Sequence, residues 1–583
     1  MTGTAPVDVA DDNAAAHERP TTHRNRTGLL ALGAAIVGVV ATSIARVVTL
    51  GSAPIGADDA LYIGVGRELW SFREPLTADG GVFTIRSWVY PLMTGGMSHL
   101  FDGSPFGSGD PFTGPRILGW VLGTTALVLA VVLAYRFARG PGAVATALVL
   151  LATPLLWTVV PSTMVDVALM CFVVAVLLVL DRPTPGRMLV GGVLSGLALL
   201  VKETSALFVV LPLAYLGALP RAEWRRLSLR YLIAFAVTVG WWFVVVLVLK
   251  GQIFPLEGFQ QSAGRDRTRV WSLDLSGLLL VAAFGAGWLV VAIGRRHEPR
   301  GRLLVLAALA FVPAAIVAWY QTLAMRQFSA LVLLSCIALG VAVVDVLAAL
   351  IRRAPRRAGP GIAAFLAIVL VVVALVPIVL AQDRTSVAAS PAEIEQEITT
   401  WIANRPGEPL VVSTFVFKVQ VWSLLTGRAT IAPLAFDNQR DAPDLAPAVW
   451  VDVRQERYHV LARQELAHQV RGADYLLLTG PHQLGPIALA TWLQLHGAAI
   501  GIKPVAHFGP RSGSPWGYIY RLQRPRVDAI PSIVSTTAAE QMVADGNFHP
   551  VEPMVIAGTR GGFIRLGRAI PIDTFEQLPA PLR

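Results

Sequence analysis

The chain has 583 residues, of which 54% are hydrophobic and only 15% charged, with a net charge of +10 and a mean hydropathy of +0.59. Soluble domains carry roughly 25% charged residues, so this composition excludes a protein that is water-soluble throughout. The excess of Arg falls in short loops between apolar runs, which points to membrane orientation rather than to nucleic acid.

The first 27 residues are polar and of mixed charge, without the pattern of a secretory signal. They are expected to form a cytoplasmic tail, and the run from Leu29 an uncleaved anchor. Runs near 20 apolar residues are long enough to cross a bilayer. On this basis spans are expected at about 28–48, 115–136, 142–160, 164–181, 188–201, 204–219, 231–249, 275–294, 303–322, 329–350 and 361–381. The sequence therefore predicts a polytopic α-helical membrane protein of about eleven transmembrane helices.

Basic residues fix the expected orientation. Arg19, Arg24 and Arg26 precede the first span. Arg136 and Arg139, Arg182 and Arg187, Arg221 to Arg230, Arg295 to Arg302, and Arg352 to Arg357 follow at every second loop. By the positive-inside rule these segments are cytoplasmic. Parity then requires two short helices within 188–219, turning near Lys202-Glu203. One long helix there would place the Arg-rich loop at 220–230 outside. The transmembrane domain is thus read as 28–382, with outside loops at 49–114 and 250–274. Residues 383–583 are more polar and form an extracytoplasmic domain. Its apolar runs, at Pro409, Ala473 and Tyr518, read as strands, and those at Pro391 and Pro486 as helices. Such alternation suggests a small α/β domain. The last 60 or so residues show no clear pattern. Cys171 and Cys336 both lie in apolar runs, where a thiol is a small core side chain.

Several residues stand out on the predicted outer side. Asp58 and Asp59 open the first outside loop, in GADDALYIGVGRELW. A carboxylate there can take a proton from a hydroxyl or hold a cation, and an Asp can equally start a helix. Arg86, Trp88, Tyr90 and Pro91 follow in RSWVYPLMTG. These aromatics can stack on a sugar or sit in an interfacial belt. Asp166 opens the fourth span, and an acid at a membrane edge is a functional candidate as well as a cap. Lys202, Arg265 and Arg326 are among the few basic residues on this side. Such cations can bind a phosphate or snorkel to headgroups.

The order of these motifs resembles the GT-C superfamily of polyprenyl-phosphate-sugar-dependent glycosyltransferases. The similarity is to the branch that contains protein O-mannosyltransferases and lipid A aminoarabinose transferases. Asp58, Asp59 and Tyr62 match an acidic pair followed by Tyr, and Tyr90-Pro91 a later Tyr-Pro element. Asp166, Lys202 and Arg326 match further positions in order, over about residues 28–380. Asp59 departs from the Glu of that branch, which leaves open any metal or acceptor contact it makes. The resemblance implies a sugar donor linked through one phosphate to a polyprenol, an acceptor hydroxyl on a glycan, lipid or protein, and inversion at the sugar. Asp58 would be the base. Lys202, Arg326 and Arg265 would hold the donor phosphate, and Tyr62, Arg86, Tyr90 and Asp166 the substrates. A divalent cation is an open possibility, and no nucleic-acid partner is implied. The Ala-, Val-, Leu-, Gly- and Arg-rich, Lys-poor composition suggests a GC-rich bacterial genome, and the expected location is the bacterial cytoplasmic membrane. A transporter or lipid-linked-sugar flippase is the alternative.

Overall fold

The computed structural model describes residues 19–50, 57–73, 83–84, 86–101, 111–202, 205–206, 221–251, 275–320 and 328–353 of the helical part. In the C-terminal part it describes 397–398, 400–402, 404–406, 411–413, 431–433, 447–452, 457–462, 474–480, 501–508, 516–522, 532–535, 554–557, 563–565 and 568–569. The expected spans at 204–219 and 361–381 lie outside these residues, as does the loop 252–274.

Among the described residues, four helical stretches are long and apolar enough to cross a membrane: Arg26–Val48, Thr113–Leu151, Arg221–Leu249 and Ser329–Arg353. The first lies in α1 (Arg19–Leu50), and two short helices follow it, α2 (Ala57–Trp70) and α3 (Val89–Phe101). Next come α4 (Thr113–Leu151), α5 (Pro154–Val159), α6 (Val165–Leu180) and α7 (Pro185–Val201). The helical part continues with α8 (Arg221–Lys250), α9 (Leu275–Gly294), α10 (Pro299–Tyr320) and α11 (Ser329–Arg353).

A straight α4 of 39 residues would run about 58 Å, far beyond a hydrocarbon core of ~30 Å. It is broken at Ala138 and Arg139, whose backbones leave the helical region; Arg139 has φ 55°. The chain beyond the break folds back on the first half, since Gly119 abuts the Ser162 backbone and Gly123 the Val160 backbone, just past α5. This is the turn expected between 136 and 142. The returning strand of the hairpin is interrupted again at Thr153, which is extended ahead of Pro154. A residue before proline is pushed out of the helical region. The Thr153 hydroxyl donates to Val149 O at 2.7 Å, so the expected span 142–160 is two helical pieces, not one.

One end of the bundle is tied by arginine. Arg295 grips both carboxylate oxygens of Asp345 at 2.7 and 2.6 Å and donates to Phe137 O at 3.0 Å. Arg300 donates to Arg136 O at 2.9 Å and pairs with Asp181 at the C-terminal end of α6. Loops read as cytoplasmic from their charge thus meet at one end. Burial lowers the pKa of the Arg295 guanidinium, but the Asp345 hydrogen bond outweighs it and the net shift is upward.

At the start of the chain's site, α2 crosses α3 with almost no separation. A Cβ on Gly66 would overlap the Pro91 carbonyl, and one on Gly95 would strike the Gly66 backbone. Trp70 Nε1 donates to Leu92 O at 2.8 Å and Arg67 Nη1 to Ser98 Oγ at 3.0 Å across the same contact. α2 then closes in a Schellman turn. Arg73 N–H reaches Glu68 O at 2.9 Å and Phe72 N–H reaches Leu69 O at 3.2 Å, the paired bonds of that motif. Phe72 has φ 55°, a conformation that costs a non-glycine residue about 1–2 kcal/mol.

The C-terminal part carries strands. A five-stranded sheet has the order β2-β1-β5-β7-β6, with β1 (Val411–Ser413) parallel to β2 (Ile431–Pro433) and to β5 (Tyr475–Gly480). β7 (Trp516–Leu522) pairs antiparallel with both β5 and β6 (Ile502–Phe508). Three of these, β1, β5 and β7, fall on the expected strands. Ile398, Ile402, Val411, Leu477, Phe508 and Ile519 form a common core. A two-stranded ribbon pairs β3 (Pro447–Asp452) with β4 (Arg457–Ala462). β8 (Ser532–Ser535), β9 (Met554–Ala557), β10 (Phe563–Arg565) and β11 (Arg568–Ala569) form a second sheet, in a region whose sequence shows no clear pattern.

The glycine crossing supplies a test. Gly66→Ala or Gly95→Ala should lower the thermal midpoint of detergent-purified protein, with a loss of about 1–3 kcal/mol or more from overpacking against backbone. Gly240→Ala, where nothing lies within 4 Å, should be neutral or slightly stabilising.

Candidate functional site

α2 begins at Ala57, so the acidic pair occupies the first helical turn rather than a cap ahead of it. Carboxylates are favoured there by the unpaired N–H groups and the helix dipole. The side chain of Asp58 lies outside the described residues. Asp59 is buried, at 1% exposure. One turn further on, Tyr62 is also buried. Its ring meets Tyr90 edge-on at 5.6 Å and Phe83 edge-on at 6.2 Å. Arg86 donates from Nη1 to the Tyr62 hydroxyl.

Tyr90 lies in the first turn of α3 and is completely enclosed. Its hydroxyl donates to the backbone carbonyl of Thr163, three residues before Asp166. Burial pushes the Tyr90 phenol well above its ordinary pKa. The negative charge of Asp59, then Tyr62, then Asp166, pushes it further. Carboxylates from α2 and α6 therefore act on one hydroxyl.

Asp166 sits in the first turn of α6, and Lys202 ends α7 with an extended backbone. The ammonium of Lys202 donates to Asp166 Oδ1, with both side chains buried. The chain leaves the helix at Lys202, as expected for a turn near Lys202-Glu203, and Ser205 N–H returns to Lys202 O at 3.1 Å.

Two contacts lock this arrangement that the sequence did not single out. Ser87 Oγ donates to Leu200 O at 2.6 Å and accepts from Val89 N–H at 3.2 Å. It thus starts α3 and fastens it to the last turn of α7. Trp88 donates to Phe83 O at 2.8 Å and packs edge-on against Trp242 of α8 at 5.6 Å. A Ser two residues before a helix was a legible start signal; its partner on α7 was not.

The fold thus gathers Asp59, Tyr62, Arg86, Tyr90, Asp166 and Lys202. Arg265 and Arg326 lie outside the described residues. Among the described residues no three His, Cys, Asp or Glu side chains group as a metal site. The cluster supplies buried acids, a phenol kept protonated and two cations. That inventory suits recognition of a polar, anionic molecule and transfer of a proton.

Comparisons with known proteins come from both sequence and fold. The family model described as dolichyl-phosphate-mannose-protein mannosyltransferase matches residues 105–248. The solved structure of apo ArnT from Cupriavidus metallidurans superposes with a TM-score of 0.51 at 15% identity, covering 84% of this chain and 98% of ArnT. ArnT from the same organism bound to undecaprenyl phosphate gives 0.52 at 16% identity, covering 83% and 97%. A comparison with curated protein sequences returns no match. The chain thus shares the fold of the ArnT structures, and the family model matches about a quarter of its length.

Two measurements test the geometry. Lys202→Met alone should destabilise by about 3–5 kcal/mol, because it strands a buried carboxylate. The Lys202→Met/Asp166→Leu double variant should lie much closer to the parent in thermal unfolding. For Tyr90, the phenol is protonated in both folded and unfolded chains below pH ~10. Above that the unfolded phenol ionises and the buried one does not, so this contribution is lost as pH rises toward the raised value. The stability gap between parent and Tyr90→Phe should therefore shrink above pH ~10.

Proposed function

We propose that this protein is a GT-C-type integral-membrane glycosyltransferase that moves a sugar from a polyprenyl-monophosphate donor to an acceptor hydroxyl, with inversion, on the outer face of the cytoplasmic membrane. One observation carries the reading: acids and cations from α2, the segment before α3, α6 and the end of α7 converge at the end of the bundle opposite the arginine-tied loops. Positive loops stay inside, so the convergent end faces outward. The ArnT structure with a similar fold is bound to undecaprenyl phosphate, a lipid phosphate of the class proposed as leaving group.

The chemistry is a single displacement. Asp58 takes the proton of the acceptor hydroxyl, whose oxygen bonds to the anomeric carbon. The bond from that carbon to the phosphate oxygen breaks, its electron pair goes to the oxygen, and polyprenyl phosphate leaves. The leaving group's added charge needs fixed positive groups aimed at it. Lys202, Arg326 and Arg265 fill that role in this reading, and Asp166 holds Lys202 in place between turnovers. Tyr62, Arg86 and Tyr90 shape the wall against which sugar and acceptor are oriented. Asp59, enclosed beside them, sets the local field. Asp166 and Lys202 lie at helix ends rather than in mid-span breaks, which favours transfer over transport.

Purified protein supplied with a panel of polyprenyl-phosphate sugars should release polyprenyl phosphate with one of them and form an inverted glycoside. Asp58→Asn, in protein that still folds, should lower the rate by at least ~100-fold, as expected for loss of a general base. Full activity in that variant removes the base assignment. Uptake into proteoliposomes without transfer from any donor supports transport instead.

A further inference from the structure

Beyond the transfer site, we propose that the turn closing α2 is a membrane-interface anchor, with the Phe72 ring seated between lipid headgroups and acyl chains. The left-handed position of a Schellman turn is normally given to glycine, because a side chain there is strained. Here it holds Phe72, which is 98% exposed. The chain thus accepts backbone strain and presents a large apolar ring outward at the same place. A bulky residue in this conformation is an outlier that points to use. The turn's paired hydrogen bonds, Arg73 to Glu68 and Phe72 to Leu69, fix the backbone from which the ring projects.

The occupant that fits is lipid. α2 and α3 lie between two membrane-crossing stretches, Arg26–Val48 and Thr113–Leu151, so the turn is held at the bilayer surface. Trp70 beside it is half exposed, yet its indole N–H is already satisfied by Leu92 O. That leaves its ring, like Phe72, free of any need for water. Exposed Arg73 flanks the pair. Aromatic rings next to a cationic side chain are the composition that settles at the headgroup level. An anchor at this end would fix α2, whose first turn carries Asp59, at a set depth. That consequence for catalysis rests on the glycosyltransferase reading; the anchoring itself does not.

The experiment has two arms. Cys171 and Cys336 are both buried, so Phe72→Cys can be labelled with a fluorophore and placed in phosphatidylcholine/phosphatidylglycerol nanodiscs. Lipids spin-labelled near the headgroup should quench it strongly and aqueous iodide weakly. Strong iodide quenching without lipid quenching overturns the proposal. Protection from both quenchers together with a dimer in size exclusion assigns the ring to a second copy and overturns it too. In the second arm, Phe72→Gly should unfold no earlier than the parent. With a long-chain donor in nanodiscs its KM should rise roughly tenfold, with little change for a short, water-soluble donor in detergent. Phe72→Trp should retain the parent KM. Lipid quenching with no transfer in any protein refutes the enzymatic reading and leaves the anchor standing; an unchanged KM in Phe72→Gly refutes the anchor's control of depth.

Discussion

The site depends on one buried ion pair. Taking a carboxylate and an ammonium out of water costs several kcal/mol for each, and Asp166 and Lys202 offset this only by meeting directly. The pair fixes where α6 begins against where α7 ends. Everything else at this end is referred to those two points. Tyr90 is bonded to the carbonyl three residues before Asp166, and Ser87 to the carbonyl two residues before Lys202. Tyr62 then packs on Tyr90 and Phe83 on Tyr62, and α2 is held there through the Gly66–Gly95 crossing. Opposite charges at two helix ends thus set the position of a third and a fourth helix.

Much of this was legible because charge in apolar surroundings is conspicuous. Asp58, Asp59, Asp166 and Lys202 break apolar runs, and the arginines between runs gave each a side. The turn at Lys202 followed from the parity of those loops, and the structure breaks the helix there. What sequence could not give was contact to backbone. Ser87 to Leu200 and Tyr90 to Thr163 join residues 113 and 73 positions apart through carbonyls that have no sequence signature. The break before Pro154 is marked in the sequence only by the proline, within a run apolar enough to read as one span. In the C-terminal part β1, β5 and β7 are continuous apolar runs and were readable. β10 and β11, of three and two residues, are too short to carry a period of two.

The acidic pair shows a different limit. Adjacent helical residues project about 100° apart, so a motif that reads as one unit in sequence is two positions in the fold. Asp59 is on the side of α2 that is enclosed with Tyr62 and Val65, where its charge bears on the Tyr90 hydroxyl. A carboxylate so enclosed acts through the field it makes. A base that must exchange protons with an arriving hydroxyl needs access, so an enclosed Asp59 does not suit that step, which the proposed function gives to Asp58.

Helix length supplies the last link between fold and chemistry. α6 has 16 residues and α7 has 17, which at 1.5 Å each gives about 24 and 26 Å. A bilayer core is ~30 Å thick, so helices this short end below the headgroup level unless the bilayer thins. With Asp181 and Arg300 paired at the arginine-tied end of α6, the shortfall falls at the other end, where Asp166 meets Lys202. Charges at that depth are tolerable only when enclosed by protein or lining a cavity, and α2 and α3 supply the enclosure with Tyr62 and Tyr90. A phosphate carried on a polyprenol is held at the bilayer by its lipid. For the proposed polyprenyl-phosphate donor, short helices capped by an ion pair and roofed by two surface helices would put the cations near that depth, where a site built at the water surface would be out of reach.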